Sequence, residues 1–412
     1  MSELLFAHAD TNTPLPRDPA YLADRPCPVC GEQAASPAPQ LCLPDFQFFG
    51  DHPHLAKRVD LHQVQCRRCF ALYMNPCYTP RGFAVLFADA GRSYGATDLR
   101  PGEQVAWLQN FGLLKQDHTL LDVGCGAGGF IAAVPPSVRC LGVDIDQASI
   151  DAARERVTAP QRRFWVADFE QFTVEERVDV ITMFHVLEHL PNPIRVLQNL
   201  GNRAQKETRL VVEVPVLEKA KTNDINGYLT PSHLTHFSTA SLRQVVEQAG
   251  WRIEAEEAQA GYNGYRIIAV PGPVQTEAKG DPNDHGLLLD YLSDWRGQLH
   301  QIHQRLQNRL TAHEIILRGG GLHTEMLYQL TTLFHADPQR RYHIVDGDPR
   351  KQGQRWRGIP ISGPQALAEL DRPDRQIVIS SYGHQDAMVA EAQALGIPDD
   401  RIIRLYDHVR RY

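Results

Sequence analysis

Residues 119–130, TLLDVGCGAGGF, constrain this chain more than any other stretch. The run opens apolar with no polar alternation, which is the pattern of a strand buried on both faces. Glycines at 124, 126 and 128 then let the backbone turn sharply and come close to a neighbour. The pattern becomes helical directly afterwards. A strand that turns through glycine into a helix is the repeating unit of a parallel α/β sheet. The helix N-terminus then faces the crevice at the strand's C-terminal edge. The same alternation continues through the strand VRCLGVDID, the helix QASIDAARERV, the strands RRFWVADF and RVDVITMF, the helix NPIRVLQNLGNRA and the strand RLVVEVPV. The expected architecture is a Rossmann-like α/β core, with the sheet covered on both faces by helices.

Three carboxylates fall at the ends of these strands. Asp122 precedes the glycine turn, Asp144 closes the next strand and Asp168 follows the third. A carboxylate at Asp144 can accept both hydroxyl protons of a ribose, and Asp168 can reach an adenine amine. A glycine turn alone is shared with dinucleotide-binding folds. The ordered set DVGCGAGG, VDID, VAD and FHVLEHLPNP is more specific, and it resembles the class I S-adenosylmethionine-dependent methyltransferases across about residues 100–270. The resemblance implies S-adenosylmethionine as cofactor, held by Asp122, Gly124, Gly126, Gly128, Asp144 and Asp168. It places Asp122 near the methionine amino group.

The eight cysteines carry a second signal. Four of them form two Cys-x-x-Cys pairs, Cys27/Cys30 and Cys66/Cys69, in a segment dense in Pro and turn residues. Such a segment has little core of its own and needs a staple. Two pairs can close one tetrahedral thiolate site, the preference of structural zinc. Four thiolates leave no open position, so the ion is expected to be structural rather than catalytic. Cys77 is taken as a bystander.

Charge excludes some partners. Lys plus Arg is 42 and Asp plus Glu is 49, for a net charge of −7. Without a basic surplus, a broad phosphate-neutralising surface is not expected, so no nucleic-acid partner is expected. No apolar run approaches the roughly 20 residues that span a bilayer, so no membrane partner is expected. The first residues, MSELLFAHADTNTPLPRD, lack the basic start and apolar core of a secretory signal. The expected compartment is the cytoplasm, and the chain gives no signal of oligomeric state.

At 412 residues, two or three domains are expected. Residues 1–20 read as a loose leader. A zinc-binding domain is expected over 21–85 and a methyltransferase domain over 86–272. Residues 271–286, rich in Pro and Gly, read as a linker. A long helix and a second α/β alternation follow, giving a C-terminal Rossmann-like domain over 287–412. This unit has its own glycine turn, RGGGLHTE, and Asp346 stands where a ribose-binding acid would sit. Whether it binds a nucleotide is left open.

Proton-removing groups should lie at the ligand edge of the first sheet. His185, Glu188 and His189 follow its fourth strand. The connection after the fifth strand carries Tyr228, His233, His236 and Ser238, and Tyr94 lies before the first helix. The arrangement of zinc unit, methyltransferase core and small C-terminal unit resembles the three-domain sugar C-methyltransferases of deoxysugar biosynthesis. These act on nucleotide-linked keto sugars. Their loop motif Tyr-x-Glu-His-Leu-Ser-(Tyr/Phe)-Phe-Ser matches Thr230 to Ser238, with the His kept as His233, Ser232 at the Glu position and Thr230 at the Tyr position. Tyr228 stands two residues upstream as a substitute.

The resemblance implies a small-molecule acceptor, a nucleotide-linked or otherwise activated sugar, with C-methylation favoured over O-methylation. For C-methylation His233 would abstract a proton next to a ketone. For O-methylation His185 or His233 would deprotonate a hydroxyl. An RNA methyltransferase with a zinc knuckle and a non-catalytic cofactor-binding scaffold are the alternatives.

Overall fold

In the computed structural model the described residues are 7–8, 20–47, 55–56, 58–87, 100–169, 172, 176–219, 223–226, 230–259, 263–275 and 280–409. The central sheet has seven strands: β1 (Thr119–Val123), β2 (Arg139–Asp144), β3 (Arg162–Val166), β4 (Val180–Phe184), β5 (Arg209–Pro215), β6 (Trp251–Ala258) and β7 (Gly264–Pro271). Their order is β3-β2-β1-β4-β5-β7-β6, and β7 runs antiparallel to both β5 and β6. The order reverses between β1 and β4. That is the switch point where open α/β sheets bind ligands.

The apolar strands form because each face has something to bury against. Leu121, Leu141, Ile181 and Leu210 belong to one core, and their neighbours Leu120, Cys140, Val180 and Val211 to another on the opposite face. Side chains on a strand alternate between faces, so a continuous apolar run feeds both cores.

Residues 20–87 hold a different sheet. Strands Ala35–Gln47, Arg58–Cys66 and Leu72–Met74 are antiparallel neighbours. Its fourth member is Thr235–His236, which comes from the connection after β5 and pairs Thr235 with Tyr73. The cysteine unit thus extends its sheet into the loop that carries His233. The C-terminal sheet has six strands, all parallel except the short hairpin Arg355–Trp356 to Ile359–Ser362. One core cluster runs continuously from the N-terminal sheet, through one face of the central sheet, into the C-terminal sheet.

Several boundaries differ from the sequence reading. The helix Pro80–Phe87 crosses the boundary expected at 85. The segment expected as a linker over 271–286 is shorter, because the helix Asn283–Arg309 starts before residue 287. Gly280, within that segment, sits on the cysteine unit: a Cβ there would lie 2.4 Å from Cys69 Cα. Of the residues read as a leader, only 7–8 and 20 are described. Among the described residues, no helix is long and apolar enough to cross a membrane.

Candidate functional site

The glycine turn leaves β1 at the switch point. Gly124, Gly126 and Gly128 have φ of 77°, 49° and 72°, a left-handed region that favours glycine. The three differ in what surrounds them. A Cβ on Gly124 would meet Val186 Cγ2 at 2.4 Å, so this glycine serves packing. A Cβ on Gly126 would meet nothing within 4 Å. Gly126 therefore borders open space. Asp144 braces the turn: its carboxylate accepts from Gly126 N and from Asp146 N, both at 2.9 Å. Asp122 is buried, and Thr182 Oγ1 donates to it at 2.8 Å. Burial pushes Asp122 up to about 7 and also raises Asp144. Asp168 is exposed beyond β3. The turn and the three acids expected from the sequence thus stand at one edge of one sheet.

His185 follows β4 at the same edge. Its φ is 56°, a strained value for a residue other than glycine. Its backbone N donates to Glu213 O at 2.8 Å. Its ring lies between two buried carboxylates, with Nε2 3.0 Å from Glu213 and Nδ1 3.4 Å from Glu188. Burial opposes its protonated form, but Glu188 and Glu213 more than offset this and raise the ring above its ordinary value. Glu213 is held in turn by buried Arg266, which also reaches Glu103 at 2.9 Å. Sequence reasoning missed Glu213 and Arg266. The available signal was a lone acid inside the apolar strand RLVVEVPV, followed by a lone base in YRIIAV.

His233 has different surroundings. Its ring is 4.8 Å from that of His189 and 6.2 Å from that of His236. Burial, then His189, His236 and His185, hold it well below the ordinary imidazole value. His236 lies buried in the strand it shares with Thr235, and burial lowers it to about 4. Ser238 caps the helix Thr239–Gln248 and donates to Asp284 at 2.6 Å, a structural task. Tyr228 and Tyr94 lie outside the described residues.

The cysteines converge. Sγ atoms of Cys27 and Cys69 are 3.5 Å apart, as are those of Cys30 and Cys66, and all four lie within 4.8 Å of one another. A zinc ion with Zn–S bonds of about 2.3 Å has a tetrahedral edge of about 3.8 Å. The donor set therefore fits that ion. The residue after each pair, Gly31 and Phe70, has positive φ, so both knuckles turn the same way. Backbone amides of Arg68 and Cys69 point at Cys66 Sγ at 3.3 and 3.4 Å. Cys30 is held down, to about 7, chiefly by its hydrogen bond with Cys27. Cys77 is buried outside the cluster.

Arg25 ties this unit to the candidate site. It donates to Met74 O at 3.2 Å, Pro191 O at 2.7 Å and Leu234 O at 2.6 Å. The C-terminal unit is tied to both other units. Asn223 Nδ2 donates to His408 O at 2.7 Å, and Arg357 bridges Glu325 at 2.6 Å and Asp45 at 3.1 Å. In the second glycine turn, Asp346 accepts from Gly320 N at 2.7 Å and from Lys351 Nζ at 3.2 Å.

A family model described as a methyltransferase domain matches residues 99–256. Among characterised proteins, the chain is 26% identical over 238 residues to trans-aconitate 2-methyltransferase of Enterobacter sp. (strain 638), covering 55% of this chain and 86% of that one. It is 29% identical over 153 residues to a ubiquinone biosynthesis O-methyltransferase of Histophilus somni (strain 2336), covering 30% of this chain and 63% of the relative. Among solved structures, an S-adenosylmethionine-dependent methyltransferase from Aquifex aeolicus aligns over 41% of this chain and 89% of its own, at 22% identity and a TM-score of 0.35. Residues 99–256 are a methyltransferase domain, and the chain is a methyltransferase enzyme.

Proposed function

We propose that this enzyme methylates a nucleotide-linked or otherwise activated sugar, with His185 as proton acceptor and a structural zinc ion on Cys27, Cys30, Cys66 and Cys69. One observation carries the reading. The open space at Gly126 and the His185–Glu213 pair stand at the ends of adjacent strands, since Thr182 of β4 is in register with Asp122 of β1. A methyl donor along the glycine turn would then lie beside a base oriented by a carboxylate, the arrangement that a base needs.

The chemistry asks little more. The sulfonium is a ready methyl donor, and most of the rate comes from holding the acceptor in line with the S–CH₃ bond. With a keto sugar, His185 takes the proton next to the carbonyl, the enolate carbon bonds to the methyl group, and the C–S electrons return to sulfur. The three-unit arrangement supports this C-methyl reading. The Histophilus somni relative is named for O-methyl transfer. On a hydroxyl acceptor the same imidazole takes the hydroxyl proton. Offering nucleotide-linked keto sugars and their hydroxyl analogues tests the acceptor class. A mass gain of one methyl on any of them supports the reading, and none on the whole panel overturns it.

Cofactor affinity should depend on pH. Asp122 has its folded-state pKa raised to about 7 by burial. Below that value its carboxyl is neutral and cannot attract the methionine ammonium. Affinity should therefore fall as the pH drops through about 7, by at most about tenfold per pH unit. Asp122→Asn should bind more weakly and show a flat profile in calorimetry. A flat wild-type profile would contradict this role.

The zinc unit should matter to turnover more than to cofactor binding. Metal analysis is expected to return about one zinc per chain. Cys27→Ser should release it and loosen the strand pairing of Tyr73 with Thr235. Turnover should then fall, with affinity for S-adenosylhomocysteine retained. Equal loss of both would show that the unit supports the whole fold instead.

A further inference from the structure

Glu188, which also flanks His185, stands together with His189 and His233. Glu188 is 1% exposed, and among the described residues neither carboxylate oxygen accepts a well-formed hydrogen bond. A buried carboxylate in that condition costs stability unless a cation meets it. Its carboxylate lies 3.4 Å from His185 Nδ1 and 3.8 Å from His189 Nε2.

The tautomer of His189 follows from its other contact. Nδ1 lies 2.7 Å from Ser232 O, and a carbonyl can only accept, so Nδ1 carries the proton. In the neutral ring Nε2 then turns its lone pair toward Glu188. The ring of His233 stands alongside, 4.8 Å from that of His189. An imidazole that gives one N–H to a backbone carbonyl and aims its other nitrogen inward is the usual setting of a metal-binding histidine.

We propose that Glu188, His189 and His233 form a binding site for a divalent transition-metal cation. Their donor atoms lie within 4.8 Å of one another. Bonds of about 2.0–2.2 Å would draw them about 1 Å closer, within reach of small side-chain rotations. Two imidazoles and one carboxylate suit zinc, iron, cobalt or manganese better than magnesium or calcium. Three protein ligands leave positions open, unlike the four-thiolate site.

The frame is already fixed. Leu234 N donates to Glu188 O at 2.8 Å, joining the two ligand-bearing segments. Arg25 clamps both, through Pro191 O and Leu234 O. The cluster stands beside His185, whose Nδ1 is 3.4 Å from Glu188, so an oxygen of an acceptor held there would complete the coordination. That last step rests on the methyl-transfer reading above, whereas the metal site itself does not.

The test uses the full chain as purified, with its cysteine site filled, and Co²⁺ as the probe. One further equivalent should bind and give visible d–d bands without the thiolate-to-cobalt charge transfer that marks the cysteine site. His189→Ala and His233→Ala should each weaken Co²⁺ binding by about tenfold or more. Glu188→Gln should do the same, but the two histidine variants suffice if it misfolds. Zinc content and S-adenosylhomocysteine affinity should stay at wild-type values in these variants, which shows that they fold. Co²⁺ binding only with charge transfer, or undiminished binding in both histidine variants, would overturn the site. Failure of S-adenosylhomocysteine to bind would instead strike at the functional reading and leave the cobalt result standing.

Discussion

His185→Asn should lower kcat by roughly 10²–10⁴-fold with little change in cofactor affinity. Asparagine tolerates the left-handed backbone at this position, where φ is 56°. It cannot carry a proton away from the acceptor. The loss should therefore appear in the chemical step and not in folding, and thermal unfolding should stay near the wild-type midpoint. The other candidate separates clearly: if His185→Asn turns over normally while His233→Ala does not, the base is His233. Its imidazole neighbours would then need to be relieved when the acceptor binds.

Gly126→Val should weaken S-adenosylmethionine binding by at least about a hundredfold, close to 2.7 kcal/mol. Two effects combine. A β-branched residue is strained at φ 49°. Its side chain would also fill the open space beside the turn. Gly124→Ala makes the contrast. There the added Cβ runs into Val186 at 2.4 Å, so the main result should be lower thermal stability. A Gly126→Val protein with wild-type affinity in calorimetry would mean that the cofactor lies elsewhere.

The central sheet could be read from the sequence because parallel strands buried on both faces leave apolar runs, and the glycines mark the turn. The cysteine cluster could be read because Cys-x-x-Cys spacing is local. Strand Ala35–Gln47 could not. It contains Pro37, Pro39 and Pro44, which demote a strand in any local reading, and it survives as a sheet edge, where missing amides cost little. Nor could the setting of the histidines. Spacing places His233 at the ligand edge, but not the rings of His189 and His236 around it. The carboxylate that orients His185 lies on another strand, and the arginine that holds it is 53 residues further on. Pairings of that range are made by the sheet register, here Phe184 opposite Glu213 and Glu213 opposite Arg266. The tie between the cysteine unit and the His233 loop is equally distant, since it joins Tyr73 to Thr235.

The measurement that bears most directly on the proposed site is a crystal structure with S-adenosylhomocysteine. The nucleoside is expected to lie along the turn at Gly126, with its ribose hydroxyls on Asp144 and its sulfur toward His185. A nucleoside seated instead at the second glycine turn, beside Gly320 and Asp346, would contradict the assignment.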